Sequence, residues 1–150
     1  MSRLTLKQAN TIINEAFAKA RELKVPPLCI VVVDDAGNVV ASQRQDKATM
    51  FRYDISLGKA WAAVAMGASS RSLARRSKDN PTFFNGLVAA SGGKFVPQPG
   101  GVLIKDRKGD ILGAAGASGG AGAVAGTGGE DEACAVWGIR KAGLKPDASA

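Results

Sequence analysis

The chain has 150 residues, a net charge of +7 and no histidine. Lacking histidine, it has neither the usual general base near neutral pH nor the commonest transition-metal and haem ligand. Its apolar content of 45% and charged content of 22% are those of an ordinary folded protein, and no stretch approaches the roughly 18 apolar residues of a membrane span.

This length fits one domain, residues 1–150, with one main core. Met1 leads into Ser2, Arg3 and a helical pattern rather than the apolar segment of a secretory signal, so the expected compartment is the cytoplasm. Cys29 and Cys134 stand far apart, unlike a zinc or CxxC pair, and are expected as reduced, buried thiols. The basic balance favours an anionic partner. The one dense basic run, Arg71, Arg75, Arg76 and Lys78, carries no interleaved aromatics, which argues against nucleic acid.

Leu6, Ala9, Ile13, Ala16, Phe17, Ala20 and Leu23 recur at helical spacing, with Thr5 and Gln8 as a reciprocal cap. This first helix ends before Pro26 and Pro27. Residues 28–33 form an apolar, β-branched run, then turn through Asp34, Asp35, Ala36, Gly37 and Asn38 into residues 39–43, which predicts a β-hairpin. The first of these strands is apolar on both faces, so it belongs in the middle of a sheet with the first helix as cover.

A second helix is predicted over 50–66, with Tyr53, Leu57, Ala60, Trp61 and Val64 on one side. Tyr53 and Trp61 are expected as core or subunit-contact anchors. Ser70 or Ser72 caps a short basic turn, and Asn80 followed by Pro81 opens another short helix. A short strand over 95–97, a hairpin over 102–105 and 110–117, and a helix from Glu130 to a stop at Gly143 complete the order. The tail from Lys145 is expected to be frayed. Hairpin connections without βαβ units indicate an α+β fold with about five antiparallel strands flanked by helices.

Residues 113–129 hold eight of the 19 glycines and read as a loop that is either closely packed or lines a ligand. Gly120, Gly122 and Ala125 match a dinucleotide spacing, but the following Glu130, Asp131 and Glu132 would repel a phosphate. Those acids either complement the helix dipole or include a functional carboxylate. Lys59, among small and apolar neighbours, is either a snorkelling surface lysine or a half-buried group able to bind a carboxylate or transfer a proton. Cys134 is expected to pack, and Arg75 and Arg76 to be solvated.

Val33, Asp34 and Gly37, then Lys59 and Ala60, the run from Gly100 to Ile104, Gly109, the run from Gly113 to Gly119, and Asp131-Glu132-Ala133-Cys134 together resemble the GlcG/HbpS family over nearly the whole chain. The resemblance implies a profilin-like domain, often a homo-oligomer, whose relatives include haem-binding proteins and the C-terminal domain of a corrinoid adenosyltransferase. It implies Lys59, Asp131 and Glu132 as candidate catalytic groups and Gly100, Gly101, Gly116 and Ser118 as cofactor-binding positions. Haem or a corrinoid is the cofactor that the family suggests, and without histidine an iron ligand would have to be Cys, Met, Tyr, Lys or a hydroxyl. The expected function is binding of an organic anion or a tetrapyrrole, with no membrane partner, accessory to a catabolic pathway. The alternative is an enzyme that moves a proton on a small carboxylated metabolite, a tautomerase, isomerase or hydratase.

Overall fold

In the computed structural model, which describes residues 3–120 and 129–149, five strands form one antiparallel sheet in the order β2-β1-β4-β3-β5. The strands are β1 (Cys29–Asp34), β2 (Val39–Arg44), β3 (Gly101–Lys105), β4 (Ile111–Ser118) and β5 (Lys145–Asp147). Among the described residues five helices accompany them: α1 (Leu6–Glu22), α2 (Phe51–Met66), α3 (Ser70–Asp79), α4 (Pro81–Ala90) and α5 (Gly129–Lys141). The architecture is α+β, as the sequence predicts. Among the described residues no helix is long and apolar enough to cross a membrane.

Alternation along β1 sorts the core into two sides. Ile30 and Val32 join Ala9, Ile13 and Ala16 of α1 and Cys134, Ala135 and Ile139 of α5. Cys29, Val31 and Val33 join Ala60 and Ala63 of α2 on the opposite face. A fully apolar strand is thereby covered on both sides. Ala62, Leu73, Phe84 and Phe95 make a further cluster that seats α3 and α4 against α2.

The local signals at the helix ends hold. Thr5 and Gln8 exchange hydrogen bonds as a capping box, and the Asn80 side chain accepts from the Phe83 amide ahead of Pro81. Four expectations need correction. Ser69, rather than Ser70 or Ser72, caps α3, its hydroxyl accepting from the Ser72 amide. Residues 95–97 form no strand, because Phe95 turns inward onto Phe84 while the Val96 amide donates to the Gly58 carbonyl. The tail is not frayed over Lys145–Asp147, which pairs with β3 and is pinned by a Lys105–Asp147 ion pair at 2.6 Å.

The fourth correction concerns the glycine-rich stretch. Its first part is the strand predicted over 110–117, observed as the central strand β4, so the overlapping loop reading fails there, and a Cβ on Gly116 would drive into the Ser56 carbonyl of α2. The small residues let the α2 backbone lie directly on the sheet. Residues 121–128, with the rest of the predicted loop and its dinucleotide-like spacing, lie outside the described residues.

Candidate ligand site

The end of β4 is where groups from α2, β3, β4 and α5 meet. Lys59 extends from α2 past the start of β3, and its Nζ donates to the Ala117 carbonyl at 2.9 Å and to Asp131 Oδ2 at 3.4 Å. Both side chains are only 6% exposed. The other Asp131 oxygen, Oδ1, accepts from the Gly120 amide at 2.8 Å, so the carboxylate spans the lysine and the chain leaving β4. Since α2 and α5 pack on opposite faces of the sheet, this ion pair joins the two helical layers around the strand end.

Two glycines make room for the lysine. Gly100 has a φ of +124°, and a Cβ there would sit 2.9 Å from Lys59 Nζ. Gly101 lies against the Lys59 backbone, and its amide donates to the Ser70 hydroxyl at 2.6 Å. Burial draws the Lys59 amine below the ordinary lysine value, and nearby Arg52 adds to that, while Asp131 pulls the other way.

The structure thus brings Lys59, Asp131, Gly100 and Gly101 together. It separates Glu132, whose carboxylate receives Arg71 Nε of α3 at 2.8 and 3.1 Å. Consecutive acids at the start of α5 therefore grip two different helices. Gly116 lies against the α2 backbone at the Ser56 carbonyl and the Ala60 amide. Ser118, almost fully buried, ends β4 with its hydroxyl accepting from Arg52 Nη1 at 3.2 Å.

Arg52 was not singled out by the sequence reading. Its seven-residue offset from Lys59, two helical turns, was the available signal. Tyr53 is exposed, Trp61 is half-buried, and Arg75 and Arg76 lie on a solvated face. Cys29 and Cys134 are free and buried, and burial raises both thiols, Cys134 to about 11. Among the described residues, no cluster of acids and cysteines could hold a metal ion.

The residues around the pair do not suit iron-ligated haem. Lys59 is committed to Ala117 and Asp131, burial holds the thiols protonated, and Met50 stands 80% exposed on the surface. What the arrangement offers is a buried ammonium–carboxylate pair, a hydroxyl, a guanidinium and glycine backbone, a set that suits recognition of a polar organic molecule.

Comparison with known proteins finds relatives over most of the chain. Residues 4–140 match the family described as haem degrading protein HbpS-like. A 15.0 kDa protein of the dhaT-dhaS intergenic region of Citrobacter freundii is 31% identical over 80% of this chain and 82% of its own length. The corrinoid adenosyltransferase PduO of Citrobacter freundii is 31% identical over 78% of this chain, which spans only 34% of that protein. The crystal structure of a PduOC:heme complex superposes with a TM-score of 0.81 at 25% identity, covering 95% of this chain and 97% of that one. The Klebsiella pneumoniae protein ORFY gives 0.81 at 26% identity, covering 95% and 93% of the two chains. A double mutant of Streptomyces reticuli HbpS gives 0.76 at 26% identity, covering 93% and 87%. The chain belongs to the HbpS-like family.

Proposed function

We propose that this HbpS-like chain is a small-molecule-binding protein that takes an organic anion beside the Lys59–Asp131 pair, acting as a cytoplasmic accessory to a catabolic pathway. In this reading residues 1–150 form one domain and the working form is a homo-oligomer. The observation that carries the reading is the placement of Lys59. Its amine is withdrawn from water at a strand end kept clear of side chains by Gly100. A buried ion pair is weak support for stability, since an apolar pair of similar volume would serve as well. Its placement where four elements converge argues for a use.

The solved PduOC:heme complex supports small-molecule binding on this fold. The engagement of Lys59 by Ala117 and Asp131, and thiols that burial holds protonated, favour an organic anion over a tetrapyrrole ligated through these groups. The test is a pair of titrations. Saturable binding of small carboxylates that is lost in Lys59→Ala, with no Soret shift on adding hemin, supports the proposal. A Soret shift that disappears in Lys59→Ala would replace the anion with a tetrapyrrole.

A second reading, proton transfer on a carboxylated metabolite, is favoured by one observation: burial moves the Lys59 amine toward its neutral, basic form. Lys59 would act as the base and Asp131 as its partner, while Glu132, engaged by Arg71, stays outside the pair. Deuterium exchange at the α-carbon of keto acids, followed by NMR, tests it. Exchange that persists unchanged in Lys59→Ala refutes it.

A further inference from the structure

Arg52 is a half-buried cation whose one side-chain partner among the described residues is neutral. Its Nη1 donates to the Ser118 hydroxyl at 3.2 Å, and it forms no salt bridge among the described residues. Ser118 is 1% exposed, and its oxygen accepts from Arg52, so the hydroxyl hydrogen points elsewhere and can be donated. Two donors therefore sit side by side at the end of β4, next in sequence to the Ala117 carbonyl that holds Lys59.

Other charges face this spot. Asp131 is matched to Lys59, and Glu130 lies toward Gly120. Arg44 and Asp54 both act on the neighbouring Cys29, which pairs across the sheet with Ser118 on one side and Arg44 on the other. None of these acids reaches the Arg52 guanidinium. Arg52 also disfavours the charged form of Lys59, so the two cations repel each other, and the carboxylate of Asp131 is engaged by Lys59. A second carboxylate, supplied by a ligand, would complete the set. A planar guanidinium fork matches a carboxylate with two parallel hydrogen bonds, which an ammonium cannot do.

We infer that Arg52 and the Ser118 hydroxyl form the carboxylate-recognition point of the ligand site and select a monoanionic carboxylic acid. This rests on the proposed small-molecule reading and adds to it the residue that sets ligand class. The carboxylate takes the free N–H groups of Arg52 and the Ser118 O–H, and its body extends along the glycine-lined strand end toward Lys59.

The test uses isotope-labelled full-length protein titrated with acetate, pyruvate and benzoate and, in parallel, with acetamide, pyruvamide and benzamide, read by amide shifts. At least one acid is expected to move the Ser118, Gly120 and Asp131 amides at least about tenfold more tightly than its amide, the difference that a charged hydrogen bond confers. Arg52→Gln is expected to erase that preference, and Ser118→Ala to reduce it. Arg52→Lys, which keeps the charge without the fork, is expected to recover binding only in part. Circular dichroism of each variant confirms that it is folded. Equal binding of acid and amide, or an Arg52→Gln variant that keeps the preference, overturns the inference and leaves the small-molecule reading standing. No response from the wild-type protein to any acid or amide overturns both.

Discussion

Removing one member of the Lys59–Asp131 pair should be far more damaging than removing both charges. In Lys59→Met the Asp131 carboxylate keeps only the Gly120 amide as a partner in a site 6% exposed. In Asp131→Asn the ammonium keeps only the Ala117 carbonyl. Breaking a buried pair in this way costs about 3–5 kcal/mol, a large share of the roughly 5–15 kcal/mol that holds an ordinary domain together. The double variant has no orphaned charge and fills nearly the same volume, so its loss should be about 1–2 kcal/mol. Urea unfolding of the four proteins at pH 7 measures the cycle, and equal m-values show that the denatured states are comparable. The pH dependence adds a check on sign. Because the folded-state amine lies below its ordinary value of 10.5, the unfolded chain binds more protons between the two values. Lys59 therefore contributes a stability that rises with pH in that window. Asp131→Asn removes the group that holds the amine up, so its rise should begin at lower pH than in the wild type. A double variant whose loss equals the sum of the singles, or Asp131→Asn with the wild-type pH profile, would refute the account of the pair.

Three further outcomes follow from other parts of the fold. Burial raises the Cys134 thiol from 9.0 to about 11, so its contribution is intact below pH 9 and is lost as pH climbs toward 11, by about 2–3 kcal/mol. The stability difference between wild type and Cys134→Ala should shrink over that range in alkaline urea titrations, and a constant difference would count against it. Gly116→Ala places a methyl into the Ser56 carbonyl of α2 and should destabilise by roughly 1–3 kcal/mol or more by overpacking; an unchanged thermal midpoint would contradict the close approach. Hydrogen bonds from Lys105 and Ser149 hold the Asp147 carboxyl down at about 2, below its ordinary 3.8. Its contribution is thus present above 3.8 and lost as pH falls toward 2. Asp147→Asn should raise amide exchange in β5 and along its side of β3, leaving β1 and β4 protected.

Where structure is decided by neighbours in sequence, it was legible. Thr5 and Gln8 meet because they are three apart on one helix, and Asn80–Pro81 starts α4 for reasons contained in those two residues. Strand β5 was not legible, since Lys145, Pro146 and Asp147 have neither alternation nor β-propensity and are held by β3 and Lys105 from about forty residues away. Residues 95–97 misled in the opposite way, an apolar run whose Phe95 serves a helical cluster. The site divides along the same line. The small residues around Lys59 left a half-buried amine as one of two readings, and three acids at a helix start left a functional carboxylate as one of two. Which acid would meet the lysine depended on how α5 rounds the end of β4, and Asp131 rather than Glu132 does so. Arg52 escaped notice because an arginine in a helix usually faces water, and only the Ser118 contact across 66 positions distinguishes it.

The packing of α1 against α5 bears on how the molecule assembles. The backbone of Gly138 presses onto that of Ile12, a closeness with no room for a side chain. Ala9, Ile13 and Ala16 meet Ile30 and Val32 nearby in sequence, but the rest of their cover, on α5, lies beyond an intervening segment of roughly a hundred residues. During synthesis the apolar stripe of α1 leaves the ribosome long before Cys134, Ala135 and Ile139 exist to cover it. The native state must await closure of that long loop, which makes the chain a slow folder by topology.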